Sequence, residues 1–113
     1  MSERPYSPVV RAGDWLVCSG QIGMVDGKRA DGGLGAELTQ AVANLSAILE
    51  AEGASLAQVV KTTVFLTHMS DYDVMNAAYI EAFGSHRPAR TAVAVAGLPF
   101  GAFVELEAWA YTG

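Results

Sequence analysis

The sequence is poor in the residues that build disulfides and metal sites. Among its 113 residues are one cysteine, Cys18, and two histidines, His68 and His86. A single cysteine excludes an intrachain disulfide, and two isolated histidines do not form a cluster with metal-ligand spacing. The sequence therefore favours neither redox nor metal chemistry.

Basic residues are also few. Seven Lys and Arg stand against twelve Asp and Glu, which gives a formal net charge of −5. The seven are scattered and leave no electrostatic footprint for a phosphate backbone, so nucleic acid is a poor candidate for a partner. No apolar run is long enough to span a bilayer, and the first residues lack the layout of a signal peptide. We therefore expect a soluble cytoplasmic protein with no membrane partner.

Charged residues make up only 17% of the chain, whereas hydrophobic residues make up 51%. The length predicts a single domain over residues 1–113 with one core. A small protein has much surface for its volume and needs many polar residues to cover it. We therefore expect part of the apolar surface to contact another subunit.

Strand-like and helix-like periodicities alternate along the chain. Apolar residues spaced for a helix cover 36–52, and a second helix begins at Ser70, which has capping-box spacing to Asp73, and ends at Gly84. A Gly- and Asp-rich stretch, 24–37, predicts a surface hairpin or loop. Strand-like alternation is found at both sides of a turn at 12–14 and over 57–68, 90–97 and 102–111. The order predicts a tandem βαβ unit, with both helices on one face of a single mixed sheet.

The last two strands carry an unusual pattern of side chains. Their core-facing residues are predicted to be Thr91, Val93 and Val95 on one strand and Val104, Leu106, Ala108 and Ala110 on the other. The opposite face would then carry Arg90, Ala92, Ala94 and Ala96 beside Phe103, Glu105, Glu107, Trp109 and Tyr111. Alternate alanines are poor strand formers but suit a face that another chain approaches closely. We therefore expect this face to pack on a neighbouring subunit, with Arg90 and Glu105 at the margin of a cleft between chains.

Five segments together resemble one known family over nearly the whole chain. They are "PYSPVV", "VCSGQIG", "QAVANLSAILEAEGASLAQVVKTTVFLTHMSDYDVMNAAY", "RPARTAVAVAGLP" and "VELEAWA". In this order they are similar to the RidA family, also called YjgF and, in older usage, endoribonuclease L-PSP or translation inhibitor.

The resemblance implies a chorismate-mutase-like α+β subunit in a homotrimer, with clefts between subunits. It also implies an enamine/imine deaminase of the 2-iminobutanoate/2-iminopropanoate type. Such a hydrolase converts reactive 2-imino and enamino acids, such as 2-aminoacrylate, to 2-oxo acids and ammonia without a cofactor. The partners it implies are a small-molecule carboxylate substrate and two further copies of the chain.

Site residues follow from the same resemblance. Arg90 matches the arginine that holds the substrate carboxylate, a task that suits a planar, permanently charged guanidinium. Glu105 matches a glutamate that positions the attacking water, and Tyr6 a tyrosine near the cleft mouth. The other matching positions, expected to bind substrate, are Ser19, Gly20, Asn76 and Ala92.

Two departures and several alternatives stay open. Ala92 replaces a cysteine common in deaminase members, so only its backbone N–H is expected to contact substrate, and the segment from Asn76 to Arg90 is shorter.

A non-catalytic trimer that binds a small carboxylate is the alternative function, and an endoribonuclease is a third. Arg90 could instead pair across an interface, and Glu107 could take the role of Glu105. Tyr6 and Asn76 could serve only in packing.

Overall fold

The computed structural model of the protein describes residues 4–113. The predicted domain therefore includes three residues, 1–3, that lie outside the described part of the chain. The elements follow one another as β1 (Val9–Ala12), β2 (Trp15–Ile22), β3 (Met24–Val25), β4 (Lys28–Arg29), α1 (Leu34–Ala51), β5 (Val59–Leu66), α2 (Tyr72–Phe83), β6 (Ala89–Ala94) and β7 (Val104–Tyr111).

Five strands form one mixed sheet in the order β1-β2-β7-β5-β6. Only β5 and β6 pair in parallel, and the other neighbours are antiparallel. The last strand, β7, is inserted between β2 and β5, so strands far apart in the chain are neighbours in the sheet. The residues that were predicted to form a surface hairpin include β3 and β4, which make a separate two-stranded ribbon.

The hydrophobic core lies between one face of this sheet and the two helices. Leu38, Leu45 and Leu49 of α1 are fully buried, as the helical spacing predicts. The sheet residues that face them include Leu16, Val64, Leu66, Val104, Leu106, Ala108 and Ala110. The prediction of a mixed sheet with both helices on one face is confirmed, and so is the core-facing set of β7.

The start of α2 differs from the prediction. A short 3-10 turn over Met69–Asp71 precedes the helix, and Asp71, not Ser70, stands at the N-cap with no side-chain hydrogen bond to the helix. The capping box predicted from Ser70 and Asp73 is therefore wrong, because the chain tightens into a 3-10 turn before the helix begins. Gly84 ends the helix at a positive φ of 65°, as expected.

A buried carboxylate braces one corner of the fold. Glu37 of α1 is 1% exposed, and its Oε1 accepts the backbone N–H of Phe103 at 2.9 Å. Arg29 Nη1 donates to Glu37 Oε2 at 3.2 Å and to the carbonyl oxygen of Gly101 at 2.8 Å. Because Arg29 lies in β4 and Phe103 directly precedes β7, these bonds tie the β3–β4 ribbon to α1 and to the sheet.

The backbone of Gly23, just before β3, lies close to the backbone of α1. A Cβ on Gly23 would lie 2.1 Å from the carbonyl oxygen of Glu37, a helix backbone atom that cannot turn aside. We expect Gly23→Ala to lower the free energy of unfolding by about 1–3 kcal/mol, the usual effect of overpacking. Gly35→Ala is the matched control, because a Cβ at Gly35 in α1 meets no atom within 4 Å and alanine is a better helix former than glycine. Thermal denaturation of both variants measures the difference, and equal melting temperatures would contradict it.

Candidate functional site

The first candidate site is a cleft of about 750 Å³ at one end of the sheet, here called the glutamate cleft. Four residues expected from the sequence line it together: Tyr6, Ser19, Gly20 and Glu105. Its remaining wall comes from the N-terminal segment, the end of β2, β3, α1 and the loop before β7. The polar residues there are Arg4, Gln21 and Asn44. The apolar residues include Ile22, Met24, Ala47, Ile48, Pro99 and Phe100.

Ser19 fixes the chain segment that carries Tyr6. Its hydroxyl donates to the carbonyl oxygen of Ser7 at 2.6 Å, and its backbone N–H donates to that of Pro8 at 2.9 Å. The segment is thus tied to β2 directly next to Tyr6, whose side chain remains 56% exposed at the cleft. In the structure, Ser19 therefore positions the cleft wall by hydrogen bonds to backbone.

Glu105 is half-buried on β7 and lies against Gly20. A Cβ on Gly20 would come within 2.0 Å of Glu105 Oε2, so only glycine leaves room for the carboxylate in this position. Burial raises the pKa of Glu105, and the negative charge of Glu107, two residues along the same strand face, raises it further. A carboxylate with a raised pKa is a stronger proton acceptor than an ordinary one, which suits a general base.

The second candidate site is a cleft of about 310 Å³ between α2 and β6, here called the arginine cleft. Asn76 and Arg90, both expected from the sequence, line it with Tyr79, Ile80, Arg87 and Pro88. Asn76 Oδ1 is buried there and has no hydrogen-bond partner among residues 4–113.

The guanidinium of Arg90 is held by α2. Nη2 donates to Tyr72 Oη at 3.2 Å, Nη1 contacts Met75 Sδ at 3.4 Å, and the guanidinium carbon lies 4.9 Å from the centre of the Tyr79 ring. These are dipole and cation–π contacts, which orient the cation but do not neutralise it. Within the described part of the chain no carboxylate lies within 4.0 Å of it, since the two ion pairs there are Arg11–Glu52 and Arg29–Glu37.

The prediction that Arg90 and Glu105 share one sheet face is wrong. Arg90 stands opposite Thr62 of β5, which is fully buried and faces the helices, whereas Glu105 stands opposite Phe65 on the other face. The face predicted for β6 as a whole is reversed. Thr91 and Val93 are exposed and point away from the helices, while Ala92 is half-buried and packs on the core. As an edge strand that the helices cover only in part, β6 has its larger apolar residues on the side away from them.

A β-bulge in β2 makes a second difference. The pairing with β7 shifts between Cys18 and Gln21, so Gln21 stands opposite the buried Leu106 and Ile22 opposite Glu105. Strict alternation of side chains along β2 would place Gln21 and Ile22 on the reverse faces. The bulge contains Ser19 and Gly20, which explains why Glu105 can approach the backbone there so closely.

The sequence interpretation overlooked most of the cleft walls. The sequence did contain a signal for Arg87, because Arg87 is a second arginine three residues before Arg90 in the same segment. Tyr79 and Ile80 follow Asn76 by three and four residues in α2, a spacing that places them on one side of the helix. Phe100 carried no such signal, because its 73% exposed ring and its φ of 60° depend on a 3-10 turn over Pro99–Gly101. Ala92 lines neither cleft.

Residues 4–113 contain no group of three His, Cys, Asp or Glu side chains close enough to hold a metal ion. No helix in that part of the chain has the length and apolar character needed to cross a bilayer. The polar side chains that line the two clefts carry guanidinium groups, hydroxyl groups, amides and the carboxylate of Glu105.

Comparison with known proteins decides the family. A family profile described as Endoribonuclease L-PSP matches residues 1–112. The YjgF gene product of Escherichia coli superposes with a TM-score of 0.91 at 36% identity, over 96% of this chain and 89% of that one. The chain belongs to the RidA/YjgF family. The resemblance found in the sequence is thereby confirmed.

Two further family members are informative about chemistry. A human protein named 2-iminobutanoate/2-iminopropanoate deaminase is 42% identical over 111 residues, which cover 96% of this chain and 81% of the human one. A crystal structure of E. coli TdcF with bound serine has a TM-score of 0.91 and 31% identity, and the match covers 99% of this chain and 91% of TdcF. Both matches cover nearly the whole of the present RidA-family chain.

The raised pKa of Glu105 predicts a pH-dependent effect on stability. A carboxyl group with a higher pKa in the folded state binds its proton more tightly there, so stability falls as pH rises from the ordinary pKa through the raised one. Glu105→Gln, which cannot ionise, should therefore raise the melting temperature at pH 7.5 and give little or no gain near pH 4. Glu50→Gln, at an exposed position of α1, controls for the loss of one charge. Equal effects of Glu105→Gln at both pH values would contradict the prediction.

Proposed function

We propose that this RidA-family protein is a homotrimeric, cofactor-independent deaminase that hydrolyses small 2-imino and enamino acids to 2-oxo acids and ammonia. The observation that carries the proposal is Arg90, a guanidinium oriented by α2 in a cleft and left without a carboxylate partner among residues 4–113. Further support comes from the human relative, which is named for this activity.

Arg90 would bind the carboxylate of the substrate. Its planar fork of N–H donors fits two carboxylate oxygens at once, and its charge persists at any working pH. The contacts with Tyr72 and Tyr79 restrict the guanidinium before substrate arrives, so less side-chain freedom is lost on binding. The resemblance also implies a contact from the backbone N–H of Ala92, which lies two residues after Arg90 on β6 but lines neither cleft of a single chain.

Glu105 would orient the attacking water and accept one of its protons. The water oxygen then bonds to the imine carbon as the π electron pair of the C=N bond moves to nitrogen, which takes the proton from Glu105. The resulting carbinolamine loses its hydroxyl proton as the C–N bond breaks, and nitrogen takes up this second proton and leaves as ammonia. The product is the 2-oxo acid, so the reaction consumes one water and needs no oxidant or reductant. The raised pKa of Glu105 strengthens it as the proton acceptor in the first step.

A site that combines these two residues requires a second subunit. Arg90 and Glu105 lie on opposite faces of the sheet, so one chain does not bring them together. The face away from the helices, here called the outer face, exposes a group of large apolar side chains. They are Val10, Trp15, Val93, Trp109 and Tyr111, each between 37% and 54% exposed. Burial of this outer face between chains would set the arginine cleft of one subunit against the glutamate cleft of the next.

Two inactive variants should restore each other if the site is shared. Arg90→Ala and Glu105→Gln are each expected to lower kcat/KM by about a hundredfold or more, because one loses the carboxylate clamp and the other the proton acceptor. Coexpression of the two should recover activity, up to about a quarter of the wild-type value for random assembly, since some interfaces then pair an intact Arg90 with an intact Glu105. Activity is measured as the release of ammonia and 2-oxo acid from an imine generated in situ. If coexpression restores no activity, the site is not shared between subunits.

Controls separate the loss of a functional group from the loss of a charge. Arg11→Ala removes an exposed cation on β1 that pairs with Glu52, and it should leave the rate unchanged. Gly20→Ala should reproduce part of the Glu105→Gln defect, because the new methyl group displaces the end of a flexible side chain and leaves the backbone in place. Full activity in Arg90→Ala would overturn the proposal.

The trimer itself gives a separate prediction. Light scattering of the purified protein should give a mass three times that of the 11.9 kDa chain. Trp109→Glu places a charge on the outer face, where burial of an unpaired charge is costly, and should shift the mass towards the monomer with little change in circular dichroism. A wild-type monomer, or a Trp109→Glu trimer, would contradict this arrangement.

The alternative is a trimer of the same fold that binds a small carboxylate without turnover. The bound serine in the TdcF structure favours it, because serine carries a carboxylate and an amino group but no imine. Saturable binding of serine or a 2-oxo acid, lost in Arg90→Ala and accompanied by no hydrolysis of any imine tested, would establish this function instead. Ribonuclease activity is disfavoured by the net charge of −5 and by the scatter of the seven Lys and Arg along the sequence.

A further inference from the structure

The arginine cleft contains a second guanidinium. Arg87 and Arg90 lie on either side of Pro88 and line the same 310 Å³ space. Their Cα atoms, three residues apart, are separated by at most about 10 Å, and both side chains line the same cleft. Two like charges in one small cleft repel each other, and an anion that contacts both relieves the repulsion. In a chain with a net charge of −5 this cleft is a local concentration of positive charge.

The guanidinium of Arg87 is oriented by the backbone at the end of α2. Nη1 donates to the carbonyl oxygen of Gly84 and, at 3.0 Å, to that of His86. A guanidinium has five N–H donors, and these two bonds engage those of Nη1. The donors on Nε and Nη2 make no hydrogen bond within residues 4–113, and none of the carboxylates there lies within 4.0 Å. Arg87 is thus fixed at one edge while the other is free to bind.

Both cations act on the same cleft wall. Tyr79 lies between them and the core, with its hydroxyl 2.7 Å from Thr62 Oγ1. Burial raises the pKa of Tyr79, while the hydrogen bond to Thr62 and the positive charges of Arg90 and Arg87 act to lower it. Tyr79, Arg87 and Arg90 thus line one small cleft together.

From this geometry we infer that the cleft selects substrates with two carboxylates, Arg90 binding the α-carboxylate and Arg87 a second one on the side chain. The inference rests on the proposed function and narrows its substrate class to 2-imino acids derived from dicarboxylic amino acids. Arg87 would act as a specificity-determining residue. Its hydrogen bonds to the end of α2 would keep the second cation in place when the cleft is empty.

Binding of stable 2-oxo acids tests the selectivity without turnover. Calorimetric titration should show that the wild-type protein binds 2-oxoglutarate about tenfold or more tightly than 2-oxobutanoate, which has a shorter, uncharged side chain. Arg87→Gln should remove most of this preference for 2-oxoglutarate, since glutamine can still donate to the backbone of α2 but carries no charge. Arg87→Lys should retain part of the affinity ratio, and Arg11→Ala should retain all of it.

The outcomes distinguish this inference from the function on which it rests. If Arg90→Ala leaves the affinity for 2-oxobutanoate unchanged, the carboxylate clamp and the proposed function both fail. If 2-oxobutanoate binds through Arg90 but the ratio is near one, or is the same in Arg87→Gln and wild type, only the dicarboxylate inference fails. If Arg87→Gln and Arg87→Lys change the affinity ratio equally, Arg87 serves only to hold the end of α2, and the dicarboxylate inference is overturned.

Discussion

The parallel pairing of β5 with β6 determines where the charged groups of this protein lie. Because Thr62 is buried and stands opposite Arg90, the register places that guanidinium on the helix side of the sheet, where α2 can hold it. A shift by one residue would place Arg90 on the outer face and Thr91 against α2. The contacts with Tyr72, Met75 and Tyr79, and the position of Arg87 next to them, all follow from this single register.

The insertion of β7 between β2 and β5 determines where the carboxylate of Glu105 lies. Neighbours on both sides fix the face of Glu105, and the bulge at Ser19 and Gly20 lets the carboxylate lie against backbone. The loop before β7 is held in turn by the hydrogen bond from Phe103 to the buried Glu37. Each half of the candidate site is therefore built on strands and braced by a polar contact, which suits groups that must stay in place.

The sequence was sufficient for the element types and for the core-facing side of β7, because apolar periodicity reports burial directly. It was insufficient for β6. There, valines and alanines alternate, and the natural assumption that the larger residues face the core is invalid at a partly covered sheet edge. It also could not reveal that β7 is inserted between β2 and β5, nor the bulge that reverses Gln21 and Ile22, since both depend on strand pairing. The family resemblance identified Arg90 and Glu105 but carried no information on Arg87, which became a candidate only once the cleft was visible.

The separation of Arg90 from Glu105 has a physical advantage. On one face of one chain, a guanidinium and a half-buried carboxylate would pair with each other, and a substrate carboxylate would have to displace that ion pair before it could bind. The sheet keeps them apart, so the cation stays available and the carboxylate keeps the raised pKa that burial and Glu107 give it. Joining the clefts across a subunit boundary would bring the two charges to opposite sides of a substrate and leave its reacting carbon between them. Assembly, rather than folding, would then complete the site.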